Sequence, residues 1–444
     1  MTAARLRQFK ADLLASFWLR PTALTIAAIA LSALLVRAEG RIDLPEWLAG
    51  WIYSGGAAGA RDVLGVVAGA TIGVAGTTFS ITVAALTLAS NQMGPRLLRN
   101  FTRDPGNQYA LGTLVATFAY ALVALRSIHD DEQGAFVPQL AVSGALLLAF
   151  ICIGVLIWFL HHVATSISVD RVVALVHKDL VAALARLPES RAPDDRTGPP
   201  RDGEPAASAP LTAASAGYLR VLDDEALADW AEQQEAVLRL RVRPGDYVFP
   251  CSIIGTVAPP EAQQAAQEAL DRAILLGDVR SVEQDPELTV RQLVEIGLRA
   301  LSASINDPFT AIAVVDHLGS ALCGLAGRRL PSGRVFRGHR LCLSRPVTDY
   351  EGLIGAMFHM LRQNATANPP VAIRLLEVLG EVCAVEQDPA RRAALHRHAV
   401  LMHDAATEAT RDPTARTALA ERLEGVLARK DGQPCHRPAD AAPR

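Results

Sequence analysis

Charged residues are missing from long stretches of the first third of this chain, and this absence decides the class of protein. The run from Val63 to Ser90 contains no charged residue, and about 20 apolar residues suffice to span a bilayer as a helix. Together with three other apolar runs, it predicts four membrane spans, at about 21–36, 63–90, 109–125 and 137–160. None of them contains Asp, Glu, Lys, Arg or His. Coupled transporters usually bury such groups, so the sequence favours a passive pore or a sensor.

Other absences narrow the chemistry. The six cysteines are scattered and form no CxxC pair, so the usual zinc and thiol-redox motifs are missing. The net charge of -3 lacks the basic excess of a general nucleic-acid binder. The chain also contains no P-loop, GxSxG, HExxH or EF-hand loop. We therefore expect no enzymatic activity, no metal or cofactor, and no nucleic-acid partner.

Basic residues around the apolar runs predict the orientation in the membrane. They precede the first run, lie between the second and third, and follow the fourth: Arg5, Arg7, Lys10 and Arg20; Arg96, Arg99 and Arg103; Arg171 and Lys178. The alternate loops carry fewer basic residues, and acidic residues accompany them. Because cytoplasmic loops are enriched in Lys and Arg, we expect a multi-pass protein with both termini in the cytoplasm.

The second predicted span carries small residues at helical spacing. Gly65, Gly69 and Gly73 recur every fourth residue, a spacing that lets membrane helices approach closely. An overlapping face contains the candidate pore-lining residues Gly73, Thr77, Ser80, Thr87 and Asn91. A small, polar, uncharged face could line a water-filled path in an oligomer. Two structural alternatives stay open: the glycines serve helix packing alone, and the hydroxyl groups bond back to carbonyl groups of their own helix.

The segment after this span is amphipathic. Its basic residues, Arg96, Arg99 and Arg103, alternate with Leu97, Leu98 and Phe101. It could lie on anionic lipid as an interfacial helix. It could also form a cationic mouth that concentrates anions near a pore.

The rest of the chain divides by composition. After a transmembrane domain over residues 1–165, we predict a helical connector at 166–186 and a flexible linker at 187–210, which is rich in Pro, Gly, Asp and Arg. A small α/β module follows at 211–282, with strands at 217–222 and 236–242 and a helix from Glu261 to Gly277. We then expect a helical domain at 283–430 and a disordered tail at 431–444. The predicted fold is mainly α: a four-helix transmembrane domain, then a cytoplasmic domain with a small β-containing module and a helical bundle.

Two Asp-Pro pairs predict helix starts, because Asp caps a helix and Pro fits the first helical position. They are Asp285-Pro286 and Asp307-Pro308. The second pair follows Asn306 and precedes Thr310 by two residues, which makes Asn306, Asp307 and Thr310 a candidate ligand site at a helix N-terminus. The alternative is an ordinary helix cap.

Three segments carry a resemblance to a known family. GTTFSITVAALTLASNQMGPRLLRNFTRD, NQYALGTLVATFAYALVALRSI and RQLVEIGLRALSASINDPFTAIAVVD resemble the predicted bacterial membrane proteins of domain of unknown function 2254. The resemblance runs from the first span to about Gly327 and more loosely beyond. It implies a bacterial integral membrane protein, for which we expect the inner membrane as the location, and it implies no activity or catalytic residue.

Two hypotheses for the function follow. The first is a homo-oligomeric ion channel or pore lined by the second span. The second is a membrane-anchored sensor or scaffold whose cytoplasmic helical domain binds a protein partner or a small ligand. The expected partners are the lipid bilayer and further copies of the chain.

Overall fold

A computed structural model describes residues 17–39, 52–93, 104–131, 134–166, 168–187 and 207–428. It divides into a membrane unit, Met1–Arg171, and a C-terminal unit, Val172–Arg444. Three parts of the sequence-based predictions lie outside the described residues: the basic residues Arg96, Arg99 and Arg103, most of the predicted linker, and the predicted tail.

The membrane unit is built from four long helices. They are α1 (Leu19–Ala38), α2 (Ala57–Met93), α3 (Pro105–Arg126) and α4 (Gln139–Ser166), and a short antiparallel hairpin, β1 (His129–Asp131) and β2 (Gly134–Phe136), joins α3 to α4. Each helix is long and apolar enough to cross a bilayer. The four spans therefore lie where the apolar runs predict them.

Helix α3 lies at the centre of this unit. The other three helices all pack against it, and 56% of its apolar window is buried, compared with 11–33% for α1, α2 and α4. Tyr120 is fully buried, and its hydroxyl donates a hydrogen bond to the Ala141 carbonyl at 3.0 Å. Ser32 of α1 donates to the Tyr120 carbonyl, also at 3.0 Å. Buried hydroxyl groups thus hold α1 and α4 on α3, since each has a partner.

Contacts at the start of α3 show that the four helices run alternately up and down the bundle. Arg20, near the start of α1, donates from Nη1 to Gln108 Oε1 at 3.0 Å. His162, near the end of α4, lies with Nε2 2.5 Å from Asp104 Oδ2. The chain therefore enters α1 and leaves α4 at the same end of the bundle, as an even number of crossings requires.

The C-terminal unit begins with most of α5 (Val169–Ala185) and continues into a β-containing module. The strands are β3 (Ala209–Thr212), β4 (Gly217–Leu222), β5 (Val237–Leu240), β6 (Tyr247–Val248), β7 (Ile253–Ala258), β8 (Ile274–Gly277), β9 (Arg334–Arg337) and β10 (Arg340–Ser344). They form a five-stranded sheet of order β3-β7-β5-β10-β9 and a three-stranded sheet of order β6-β4-β8. Among the described strands of these two sheets, only β5 and β10 pair in parallel. Helices α6 (Asp224–Gln233) and α7 (Gln263–Ala273) cover the apolar core, which includes Leu211, Leu222, Leu227 and Leu238.

Three details of this module differ from the sequence-based division. Strand β3 begins at Ala209, two residues inside the predicted linker, because it pairs with β7. The predicted helix to Gly277 ends at Ala273, and residues 274–277 form β8 against β4. The hairpin β9–β10 comes from the region assigned to helices, 283–430, and joins the sheet of the module through β5.

The remaining chain is helical. Its helices are α8 (Pro286–Ala300), α9 (Pro308–Cys323), α10 (Tyr350–Ala365), α11 (Pro369–Val385), α12 (Pro389–Ala409) and α13 (Pro413–Leu427). They pack through buried apolar side chains such as Leu293, Leu318, Phe358 and Leu379. The predicted fold class is confirmed: four apolar spans precede a mainly helical region with a small sheet module.

Candidate functional site

Helix α2 has two faces of different character. The face toward the bundle buries Leu64, Val67, Ala68, Thr71, Ala75, Thr78 and Thr82. At 3.6 residues per turn, the opposite face contains Gly65, Gly69, Gly73, Gly76, Thr77, Ser80, Ala84 and Thr87, and all eight are exposed. We call these eight residues the small-residue face. Asn91 belongs to the helix, but its side chain lies outside the described residues.

Among the residues that the structure describes, the glycines of the small-residue face have open space beside them. A Cβ atom placed on Gly65, Gly69, Gly73 or Gly76 would meet no neighbouring atom within 4 Å. Other glycines do allow close approach within the bundle. A Cβ on Gly112 of α3 would lie 3.0 Å from Pro21 Cα of α1, and one on Gly144 of α4 would collide with the Tyr120 hydroxyl. Packing among the described residues therefore does not explain the glycines of α2.

The hydroxyl groups on this face bond back to their own helix. Thr77 Oγ1 donates to the Gly73 carbonyl at 3.2 Å, Ser80 Oγ to the Gly76 carbonyl at 3.0 Å, and Thr87 Oγ1 to the Val83 carbonyl at 2.9 Å. This is the back-bonding alternative left open by the sequence. It satisfies each hydroxyl proton and leaves an oxygen lone pair on the exposed surface. The face is therefore uncharged and made mostly of small residues, and its polar groups are these three hydroxyls; Val66, which is 70% exposed, lies on the same side of the helix.

A contact between a carboxyl group and an imidazole that the sequence did not indicate lies at the start of α3. Asp104 caps this helix by accepting a hydrogen bond from the Gly106 amide at 2.9 Å, and its other oxygen faces His162 Nε2. The Trp158 ring stacks on His162 with ring centroids 4.8 Å apart. A Cβ on Gly106 would lie 2.6 Å from His162 Nε2, so glycine is needed for this close approach. His162 is 58 residues away from Asp104, and only the antiparallel packing of α3 and α4 brings them together.

The candidate ligand site at Asn306, Asp307 and Thr310 has the hydrogen bonds of a helix cap. Asp307 precedes α9 and accepts from the Thr310 amide at 3.2 Å and the Thr310 hydroxyl at 2.5 Å. These bonds hold the pKa of the Asp307 carboxyl below its usual value. Asn306 adopts a left-handed backbone with φ of 49°, which Asn tolerates better than most residues. The three residues thus lie together, with the Asp307 oxygens already occupied.

Metal ligands are not grouped in the part of the chain that the structure describes. No three His, Cys, Asp or Glu side chains there could hold one ion.

Known proteins place the chain in a family. Residues 15–381 match the model of a family described as "Predicted membrane protein (DUF2254)", which confirms the resemblance of the three segments. Uncharacterized proteins of Mycobacterium tuberculosis and Mycobacterium bovis are each 33% identical to the chain over 372 residues, which cover 82% of the chain and 71% of each relative. No solved structure matches the chain.

Proposed function

Since the chain belongs to the DUF2254 family of predicted membrane proteins, we propose a function within the bilayer: a homo-oligomeric ion channel whose copies meet around α2. The observation that carries this proposal is the small-residue face. It lies opposite the packed face of a 37-residue helix, and a Cβ atom on any of its four glycines would meet no neighbouring atom within 4 Å among the described residues. Small residues at such spacing promote helix association in membranes, so a second copy is the natural neighbour.

The chemistry of the face favours a water-filled path over a dry contact along part of its length. Gly65, Gly69 and Gly73 occupy the first half, where close backbone approach is easiest. Thr77, Ser80 and Thr87 occupy the second half, and their oxygens can accept hydrogen bonds from water or a hydrated cation. No side chain on the face is charged, so the path would conduct passively.

The experiment is ion flux through liposomes that contain the purified full-length chain, compared with the variant Thr77→Trp. An indole in place of a hydroxyl on the lining face would block the path, so we expect flux to be lost while the oligomer persists. The matched control is Ile153→Trp, which places the same side chain on an exposed position of α4. This control should conduct like the unmodified chain.

Three outcomes separate the hypotheses. Flux lost only in Thr77→Trp supports the channel. Absence of flux from the unmodified chain over several ions and voltages rejects it and favours the membrane-anchored sensor or scaffold. Equal loss in both variants also argues against a path along α2. Cross-linking of the purified chain reports the oligomer independently of flux.

The location proposed for this channel is the bacterial inner membrane, with both termini in the cytoplasm. The support is the excess of Arg and Lys before the first span and after the fourth. A cysteine-reactive reagent that cannot cross membranes tests this: Cys251, which is exposed in the C-terminal unit, should react only after the cells are opened.

A further inference from the structure

The C-terminal unit contains a cavity of about 220 Å³. Five parts of the chain line it: the end of α5, the start of α6, the turn after β5, the loop before α8, and the segments on either side of the β9–β10 hairpin. Because these elements are far apart in sequence, the sequence alone gave no sign of the cavity. Small-molecule sites favour such concave positions between structural elements.

Two of the arginines that line the cavity are held in place by hydrogen bonds and ion pairs. Arg345 donates to Asp224 from Nε at 2.7 Å and from Nη2 at 2.5 Å. Arg243 contacts Glu287 from Nη2 at 2.7 Å and donates to the Thr348 hydroxyl from Nη1 at 2.9 Å. A guanidinium has five N–H donors, so both arginines keep N–H groups beyond those used here. The carboxylates thus fix the orientation of two guanidinium groups without exhausting their donors.

A third arginine also lines the cavity. Arg186, just past the end of α5, is exposed, and its guanidinium also interacts electrostatically with Asp179. Glu283 is the only lining carboxylate that is not already bound to a guanidinium, and it is also exposed. One exposed carboxylate is a poor site for a hard cation, which needs several oxygen ligands. The three arginines in the lining therefore favour the binding of an anion.

The rest of the lining is apolar: Ala183, Leu187, Pro244, Val282, Pro286, Pro331 and Val347. We propose that this cavity binds a small organic anion. Its carboxylate or phosphate group lies among Arg186, Arg243 and Arg345, and its apolar part contacts the proline and valine side chains. Guanidinium groups bind both kinds of anion through paired hydrogen bonds. The site is independent of the proposed channel, since all its residues belong to the C-terminal unit.

Titration calorimetry with phenyl phosphate on the detergent-solubilised full-length chain tests this site. We expect saturable binding and none for phenol, which lacks the anionic group. Arg186→Gln should weaken binding about tenfold, the effect of one charge-assisted hydrogen bond. Glu283→Gln should tighten binding, because it removes a like charge from the wall. The matched control is Arg411→Gln, an exposed arginine outside the cavity, which should bind like the unmodified chain.

Both test variants alter exposed side chains, so folding is preserved, and thermal unfolding verifies this. No saturable binding, or equal affinity for the unmodified chain, Arg186→Gln and Glu283→Gln, would overturn the proposal. Nanodiscs containing phosphatidic acid identify the source of the anion. If phosphatidic acid in the nanodisc weakens the binding of phenyl phosphate, the site exists and its ligand is a lipid headgroup. If phenyl phosphate binds equally well with and without phosphatidic acid, the site exists and its ligand is a soluble anion.

Discussion

At the residue scale, glycine has two distinct uses in the membrane unit, and the sequence distinguishes them poorly. The regular spacing of Gly65, Gly69 and Gly73 predicts a helix that something approaches closely. Within the chain, the close approaches occur instead at isolated glycines such as Gly112 and Gly144. Their partners lie on other helices, so no local pattern reveals them. Spacing can predict a contact face, but not whether the partner belongs to the same chain.

A first prediction follows for Gly112. In Gly112→Ala the new methyl group would lie 2.8 Å from Leu24 Cδ1 and 3.0 Å from Pro21 Cα, so α1 must move away from α3. Overpacking of this kind costs about 1–3 kcal/mol. We therefore expect a lower unfolding temperature in detergent, measured by intrinsic fluorescence.

The control for this prediction is Gly154→Ala in α4, where a Cβ atom meets nothing within 4 Å. Alanine favours helix over glycine by about 0.5–1 kcal/mol, so this variant should unfold at the same or a higher temperature. Equal unfolding temperatures for the two variants would show that α1 and α3 are farther apart at Gly112 than in this structure.

At the element scale, Asp-Pro pairs mark helix starts in both units. Among the described residues, five helices begin with such a pair, and in each the Asp side chain accepts from backbone amides: Asp104 at the start of the membrane helix α3, and Asp285, Asp307, Asp388 and Asp412 in the C-terminal unit. The cap and the fixed φ of proline act locally, so sequence is enough to find them. The starts predicted at Asp285 and Asp307 are confirmed.

The strands β8, β9 and β10 were missed because their pairing is not local. Strand β10 lies parallel to β5, with Leu343 opposite Leu238, a partner about a hundred residues earlier in the chain. Strand β8 follows α7 directly and pairs with β4, so its apolar residues read as the last turn of that helix. A short apolar run does not distinguish the helical period of 3.6 residues from the strand period of two residues. Gly338, with φ of 59°, forms the turn between β9 and β10.

The caps of these helices differ in burial, which gives a second prediction. The Asp285 side chain is only 3% exposed and pairs with Arg280 at 2.5 Å, whereas Asp388 is exposed. Asp285→Ala removes a cap and also leaves Arg280 without its partner. Breaking a buried pair costs about 3–5 kcal/mol, whereas loss of a cap alone costs about 1 kcal/mol. Thermal unfolding of the C-terminal unit should therefore shift much more in Asp285→Ala than in Asp388→Ala. Shifts of equal size would mean that the pair with Arg280 contributes nothing beyond the cap.

At the scale of the whole molecule, the sequence predicts the division into membrane and C-terminal parts but not the sites within them. Long apolar runs are a strong signal, because a bilayer accepts only segments that satisfy their own backbone and carry few charges. The cavity next to Arg345 depends on elements that only the tertiary fold brings together. The small-residue face lies between these cases, since the sequence defines it and its exposure is a property of the packed bundle.

The membrane assignment itself gives the last prediction, from two phenylalanines with similar exposure. Phe150 in the middle of α4 is 71% exposed, and Phe249 in the loop after β6 is 66% exposed. If α4 contacts lipid, Phe150→Lys places a charge near the bilayer centre, at a cost of about 2.5–3.5 kcal/mol on the insertion scale. Phe249→Lys exchanges one exposed side chain for another outside the spans. After fractionation of cells, Phe150→Lys should show less protein in the membrane fraction and more degradation, while Phe249→Lys should match the unmodified chain. A Phe150→Lys chain that inserts normally would mean that this face of α4 contacts water or protein, and the search for a path through the membrane would then move from α2 to α4.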